Sequence, residues 1–240
     1  MFGNLRNQHD ELLEYDFHPG KEGSVELIVI GHGVTANKDR EWAVTLAKTL
    51  ANAGLASLRF SFSGNGGSGG RFEESCPSKE ADDLRSVLET VKKWNVSYVG
   101  HSMGAAVGVL VASNHAGIRR LVSLGGMVGA ADFAQRKFGD LQPDAALMWD
   151  KPECPLSQIF IDDMKSIGSV EGQAKSISIP WLLVHGEADS VVPPAESDDL
   201  YQQDPTKRTL IRMPGTDHVF SGSSAESMAK QVAQWFLSEM

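Results

Sequence analysis

Three residue types that together perform nucleophilic catalysis stand in this chain at places where each could do so. Ser102 is the centre of Gly100-His101-Ser102-Met103-Gly104, Asp189 closes His185-Gly186-Glu187-Ala188-Asp189, and His218 closes Pro214-Gly215-Thr216-Asp217-His218. A serine hydroxyl is a weak nucleophile until a neighbouring base takes its proton. A histidine can be that base and return the proton to the leaving group, while a carboxylate fixes the imidazole tautomer and stabilises its cation. The chemistry of such a set is acyl transfer through a covalent intermediate. The Gly-x-Ser-x-Gly pattern is weak evidence by itself in a chain with 24 glycines. Gly66-Gly67-Ser68-Gly69-Gly70 matches it too, but lies in a glycine tract with no helix opening behind it and reads as loop. Ser102 is the candidate and Ser68 is not.

The elements that must position these residues are legible around them. Val96–Val99 is a short strand run, and Ala105–Ala112 is a small, apolar run suited to a buried helix. Strand, sharp turn and helix in that order form a nucleophile elbow, which lifts a serine out of the sheet. Trp181–Val184 and Leu210–Met213 are strand runs that put Asp189 and His218 on the loops leaving them. Further strands are expected at 13–17, 25–30, 55–62 and 121–124, and helices at 39–53, 78–93 and the C-terminal run carrying Met228, Val232, Trp235 and Phe236. This alternation predicts a single α/β domain over residues 1–240, with a mostly parallel doubly wound sheet covered on both faces.

An oxyanion site is expected after the Leu27–Ile30 strand, where Gly31-His32-Gly33-Val34 could present the Val34 amide to developing charge. The Met103 amide, at the start of the elbow helix, would be its partner, strengthened by the helix dipole. Residues 127–176 contain no clean strand, and Pro143, Pro152 and Pro155 punctuate them. So long an excursion is too large for a plain loop and is expected to form a cap over the site.

Taken together, the elbow, the His32-Gly33 turn, the His185–Asp189 segment and the Gly215–His218 segment resemble the α/β-hydrolase family over nearly the whole chain. The segment His32-Gly33-Val34-Thr35-Ala36-Asn37-Lys38-Asp39, with the short cap, is most similar to the cinnamoyl/feruloyl-esterase and serine-aminopeptidase-like branch. That resemblance implies a serine esterase that cleaves small carboxylic esters through an acyl-enzyme, without metal or organic cofactor. In it Ser102 is the nucleophile, His218 the base and Asp189 the orienting acid. Asp132 and Gln135 are the polar cap residues expected to touch substrate. The same triad could instead cleave a thioester, an amide or a carbon–carbon bond, and a capped cavity could serve a ligand receptor with vestigial hydrolysis.

Neighbouring candidates have plainer readings. Asp217 adjoins His218 and is badly placed to reach its ring, so a capping or solvent-facing role is expected. His32, His101 and His185 are expected to pack or to hold turns. Gly64-Asn65-Gly66-Gly67-Ser68-Gly69 matches a dinucleotide fingerprint, yet lacks the helix that must open at its last glycine. The net charge of −9 argues against nucleic acid and anionic membrane as partners. Met1–Tyr15 has no apolar signal-type core, and no apolar run approaches bilayer length, so a cytoplasmic protein acting on a small molecule is expected. Cys76 and Cys154 form no metal-ligand spacing and are expected to be idle thiols.

Overall fold

Leu27-Ile28-Val29-Ile30 offers apolar side chains to both faces of a strand, and both faces are used. The computed structural model describes residues 2–240. Strands β1 (Leu5–Arg6) and β2 (Leu12–Leu13) form a small antiparallel hairpin. Then come β3 (Tyr15–His18), β4 (Glu26–Gly31), α1 (Glu41–Asn52), β5 (Ala56–Phe60) and α2 (Pro77–Thr90). They are followed by β6 (Asn95–His101), α3 (Met103–Ala112) and β7 (Ile118–Leu124). Helices α4 (Ala130–Phe138), α5 (Gln158–Ile167) and α6 (Glu171–Ala174) precede β8 (Trp181–Gly186). The last elements are α7 (Ala195–Gln203), β9 (Arg208–Met213) and α8 (Ser223–Glu239).

Seven strands form one sheet in the order β3-β5-β4-β6-β7-β8-β9. Only β3 runs antiparallel; every other pairing is parallel. The period of two sorts the apolar residues between two cores. Leu27, Val29, Val96 and Tyr98 face the core shared with α2 and α3. Ile28, Ile30 and Val99 face the core shared with α1 and α8, built on Trp42, Leu46, Leu50, Met228, Val232 and Phe236. This is the expected fold, an α/β sheet covered on both faces.

Register brings the loops of interest to one edge. Gly31 pairs with Gly100, His101 with Leu124, and Gly186 with Met213, so the carboxyl ends of β4, β6, β7, β8 and β9 finish side by side. In open parallel sheets that edge is where ligands bind.

The single strand expected over 13–17 is split. Leu13 pairs with Leu5, Tyr15 with Phe60, and Glu14 between them is turned to the glycine tract. There its amide donates to Ser68 Oγ at 2.9 Å and its carboxylate accepts from the Gly67 amide at 2.9 Å. Ser68 is thus a tie between loop and strand. After Gly69 comes only a 3₁₀ turn at Phe72–Glu74, and α2 starts at Pro77, so no helix opens on the tract. Both cysteines are free and buried. Among the described residues no helix is long and apolar enough to cross a membrane.

Candidate active site

The elbow is built from two glycines and one strained serine. A Cβ on Gly100 would lie 2.2 Å from the Gly104 carbonyl oxygen, and one on Gly104 would lie 2.3 Å from that of His32. Strand β6, helix α3 and the loop after β4 therefore meet at distances only glycine allows. Ser102 between them has φ 53° and ψ −119°, a conformation that L-residues rarely adopt. Its amide donates to Leu124 O at 2.9 Å, and its carbonyl accepts from Met127 N at 3.2 Å, so the end of β7 and the loop after it hold the strained turn. Tyr98 Oη donates to Gly104 O at 3.0 Å from inside the core and holds the first turn of α3.

Asp189 and His218 are brought together from neighbouring loops. His218 Nδ1 donates to Asp189 Oδ2 at 2.7 Å, which leaves Nε2 without a proton in the neutral ring. The other oxygen, Oδ1, accepts from the amides of Val191 at 2.8 Å and Val192 at 2.9 Å. A carboxylate has two oxygens, so Asp189 caps its loop and faces the histidine at once. His185 supports it from below. Its Nε2 lies 3.1 Å from Val192 O and 3.2 Å from Asp189 Oδ2, both acceptors, so Nε2 carries the proton. Its Nδ1 then accepts from the Ser197 hydroxyl at 2.7 Å. Burial opposes the charge on Asp189, but hydrogen bonds from His185, His218 and Val192 outweigh it and hold the carboxyl well below the usual carboxylate range. Asp217 points elsewhere, accepting from Ser221 N at 2.9 Å and Ser221 Oγ at 2.6 Å.

The loop after β4 lies against the serine: a Cβ on Gly33 would approach Ser102 Cβ to 2.9 Å. His32 braces that loop. Its Nε2 accepts from the Phe62 amide at 3.0 Å, so Nδ1 carries the proton and donates to Gly33 O at 2.9 Å. Burial pushes His32 down to about 4. Among the described residues the amides of Val34 and Met103 have no hydrogen-bond acceptor; Met103 follows Ser102 directly, and Val34 lines the same cavity as Ser102. His101 Nε2 donates to the His218 carbonyl at 2.8 Å and its ring packs, tilted, against those of Trp42 and His218. Burial, with the nearby His218, lowers it to about 3, so it is a neutral brace rather than a proton carrier.

Ser102, His218, His101, Gly33 and Val34 line one cavity of about 240 Å³, together with Thr35, Ala36, Arg40, Trp42, Trp149, Lys151, Val191 and Val219. Asp132 and Gln135 do not reach it, contrary to expectation. Helix α4 buries Phe133, Ala134 and Phe138, so Asp132 and Gln135 fall on its exposed side and border separate surface grooves. The 127–176 segment contributes Trp149 and Lys151 instead. Trp149 packs on Phe138 with ring centroids 4.9 Å apart and adopts φ 49°, with 41% of its surface exposed. Sequence reasoning also missed Gly125, whose φ is 51° and whose Cβ would crowd Asp189 Oδ2 at 3.3 Å and His218 Nδ1 at 3.4 Å. The Gly125-Gly126 pair at the end of a predicted strand was its available signal.

A hydrolase family model described as "Serine aminopeptidase, S33" matches residues 24–149 and 152–222. A Mycobacterium tuberculosis protein named uncharacterized protein Rv2307c is 27% identical over 199 residues, covering 82% of this chain and 64% of its own length. YfhR of Escherichia coli K12 is 25% identical over 232 residues, covering 91% of this chain and 72% of its own length. The chain thus spans about two thirds of the length of these curated relatives. Among solved structures, Est1E from Butyrivibrio proteoclasticus with ferulic acid bound superposes with a TM-score of 0.88 at 24% identity, covering 98% of both chains. Mouse alpha/beta hydrolase domain-containing protein 10 gives 0.80 at 18% identity, covering 99% of this chain and 98% of its own. These likenesses establish the fold.

Proposed function

The chain belongs to the serine aminopeptidase S33-type hydrolase family of the α/β-hydrolase superfamily, and from that premise we propose that it is a serine esterase of small carboxylic esters. The observation that carries the reading is the 2.7 Å contact of His218 Nδ1 with Asp189, on the wall of the cavity that Ser102 also lines. His218 Nε2 takes the Ser102 proton as Oγ attacks the ester carbonyl. The Val34 and Met103 amides, which lack other acceptors among the described residues, receive the negative charge of the tetrahedral intermediate. Collapse expels the alcohol with the proton from His218, and water, activated by the same imidazole, releases the acid from Ser102. Asp189 holds the imidazole in the required tautomer throughout.

Residues 127–176 act as a compact cap on the one domain, contributing Trp149 and Lys151 to the cavity. A volume of about 240 Å³ suits short acyl or aryl groups rather than long chains. The unpaired buried thiols of Cys76 and Cys154 favour a reducing, cytoplasmic setting. Burial pushes the Cys76 thiol up to about 12, which makes it inert as a competing nucleophile.

A fluorophosphonate probe tests this directly. It should label the peptide containing Ser102 and not that containing Ser68, and Ser102→Ala should abolish labelling and lower ester turnover on the order of 10⁶-fold while folding normally. Labelling that persists in Ser102→Ala would overturn the assignment.

A further inference from the structure

Two cations, Arg40 and Lys151, line the cavity of Ser102, and among the described residues no carboxylate meets them. Arg40 Nη2 donates to the Thr35 carbonyl at 2.9 Å, and Lys151 Nζ lies 3.4 Å from the same oxygen and 3.3 Å from Thr35 Oγ1. Two like charges therefore converge on one neutral oxygen. The chain carries 31 acidic side chains against 22 basic ones, yet among the described residues none approaches either cation within 4.0 Å. The pairing elsewhere underlines this. Lys38, two residues from Arg40, meets Glu14, Asp16 and Asp39, and Asp39 is held by Lys38 and Arg59 rather than by its neighbour. Thr35 presents its carbonyl from φ 54°, an unfavourable conformation for a β-branched residue, so the backbone is strained at the point that gathers the two charges. Thr35, Arg40 and Lys151 come from the loop after β4 and from the 127–176 segment, and all three line the same cavity as Ser102.

Resting on the reading of Ser102 as nucleophile, we propose that Arg40 and Lys151 form an anion subsite, so that the preferred ester carries a carboxylate or phosphate beyond its reacting carbonyl. Among the described residues Arg40 keeps four of its five N–H donors free of protein acceptors, and a planar fork of this kind matches a carboxylate or phosphate edge. An anion seated there relieves the repulsion between the two cations and gains charge-assisted hydrogen bonds in a half-enclosed site. The apolar walls of Trp42, Trp149, Val191 and Val219 hold the carbon skeleton between that anchor and Ser102.

Matched ester pairs test the subsite: mono-p-nitrophenyl glutarate against p-nitrophenyl pentanoate, and butyrylglycerol 3-phosphate against monobutyrin. We expect the anionic member of at least one pair to be favoured by about tenfold or more in kcat/KM, and the favoured pair tells carboxylate from phosphate. Added sodium chloride should shrink that preference. Arg40→Gln and Lys151→Gln should each pull the anionic-to-neutral ratio toward one, with Arg40→Lys retaining part of it. Calorimetry with glutarate and with glycerol 3-phosphate gives a readout independent of turnover, with salt-sensitive binding that Lys151→Gln weakens. The subsite is overturned if neither anion binds, or if neutral esters match the anionic ones in both pairs. Fluorophosphonate labelling separates the two claims: a labelled Ser102 with no anionic preference sinks the subsite alone, whereas anion binding without labelling or turnover sinks the esterase reading.

Discussion

Asp189 shows how much one side chain can be asked to do. Its two oxygens are divided between the loop amides of Val191 and Val192 and the rings of His218 and His185. Replacing it with Asn keeps the shape but offers a donor where Oδ2 must accept. We expect Asp189→Asn to lower kcat by about 10⁴-fold and to lower Tm, since the His185 contact is lost as well. Asp217→Asn should stay close to wild type, because the Asp217 carboxylate holds Ser221 and its own loop rather than the His218 ring. Steady-state kinetics on the two purified variants decides this, and a dead Asp217→Asn beside an active Asp189→Asn would reverse the roles.

At the scale of elements, the elbow depends on the approach of α3 to the loop after β4. Gly104→Ala would set a methyl 2.3 Å from the His32 carbonyl oxygen. We expect a loss of about 1–3 kcal/mol in stability and a larger loss in fluorophosphonate labelling, because displacing His32 moves the Val34 amide away from Ser102. Thermal melts beside labelling rates measure the two effects. Helix α2 carries a different tension. Glu80 is buried with Oε2 unpartnered, and burial, with Asp83 nearby, raises its pKa well above the ordinary value. A carboxyl whose folded pKa is raised stabilises the fold below the unfolded value of 4.5 and loses that contribution as pH rises. Glu80→Gln should therefore raise Tm more at pH 8 than at pH 5. An equal change at both would show that Glu80 is not the source of the strain.

At the scale of the whole molecule, two buried histidines, His32 and His101, couple stability to acid with the opposite sign. His32 is depressed to about 4 and His101 to about 3, against an unfolded value of 6.5. The unfolded chain binds their protons first, so their contribution is intact above pH 6.5 and lost as pH falls toward the folded values. At pH 5 the loss is about 2 kcal/mol for each. Urea melts at pH 7.5 and pH 5 should show this loss, and His32→Asn or His101→Gln should each remove about that much of the pH dependence. Identical pH slopes in wild type and both variants would contradict the neutral buried assignment.

The fold and the Ser102, Asp189 and His218 loops were legible in sequence because their signals are local. A buried strand is a run of apolar residues, a turn is marked by glycine, and register then aligns the strand ends, so residues just beyond Val99, Gly186 and Met213 share one edge of the sheet. Strand boundaries were less exact where a single residue, Glu14, was drawn to the glycine tract. What lines the cavity was decided by tertiary packing alone. The facing of Asp132 and Gln135 depends on which side of α4 finds Phe160 and the core, through Phe138, and not on the helix itself. The meeting of Arg40 with Lys151 at Thr35 joins residues more than a hundred positions apart. No local pattern encodes a distance that only the folded chain closes.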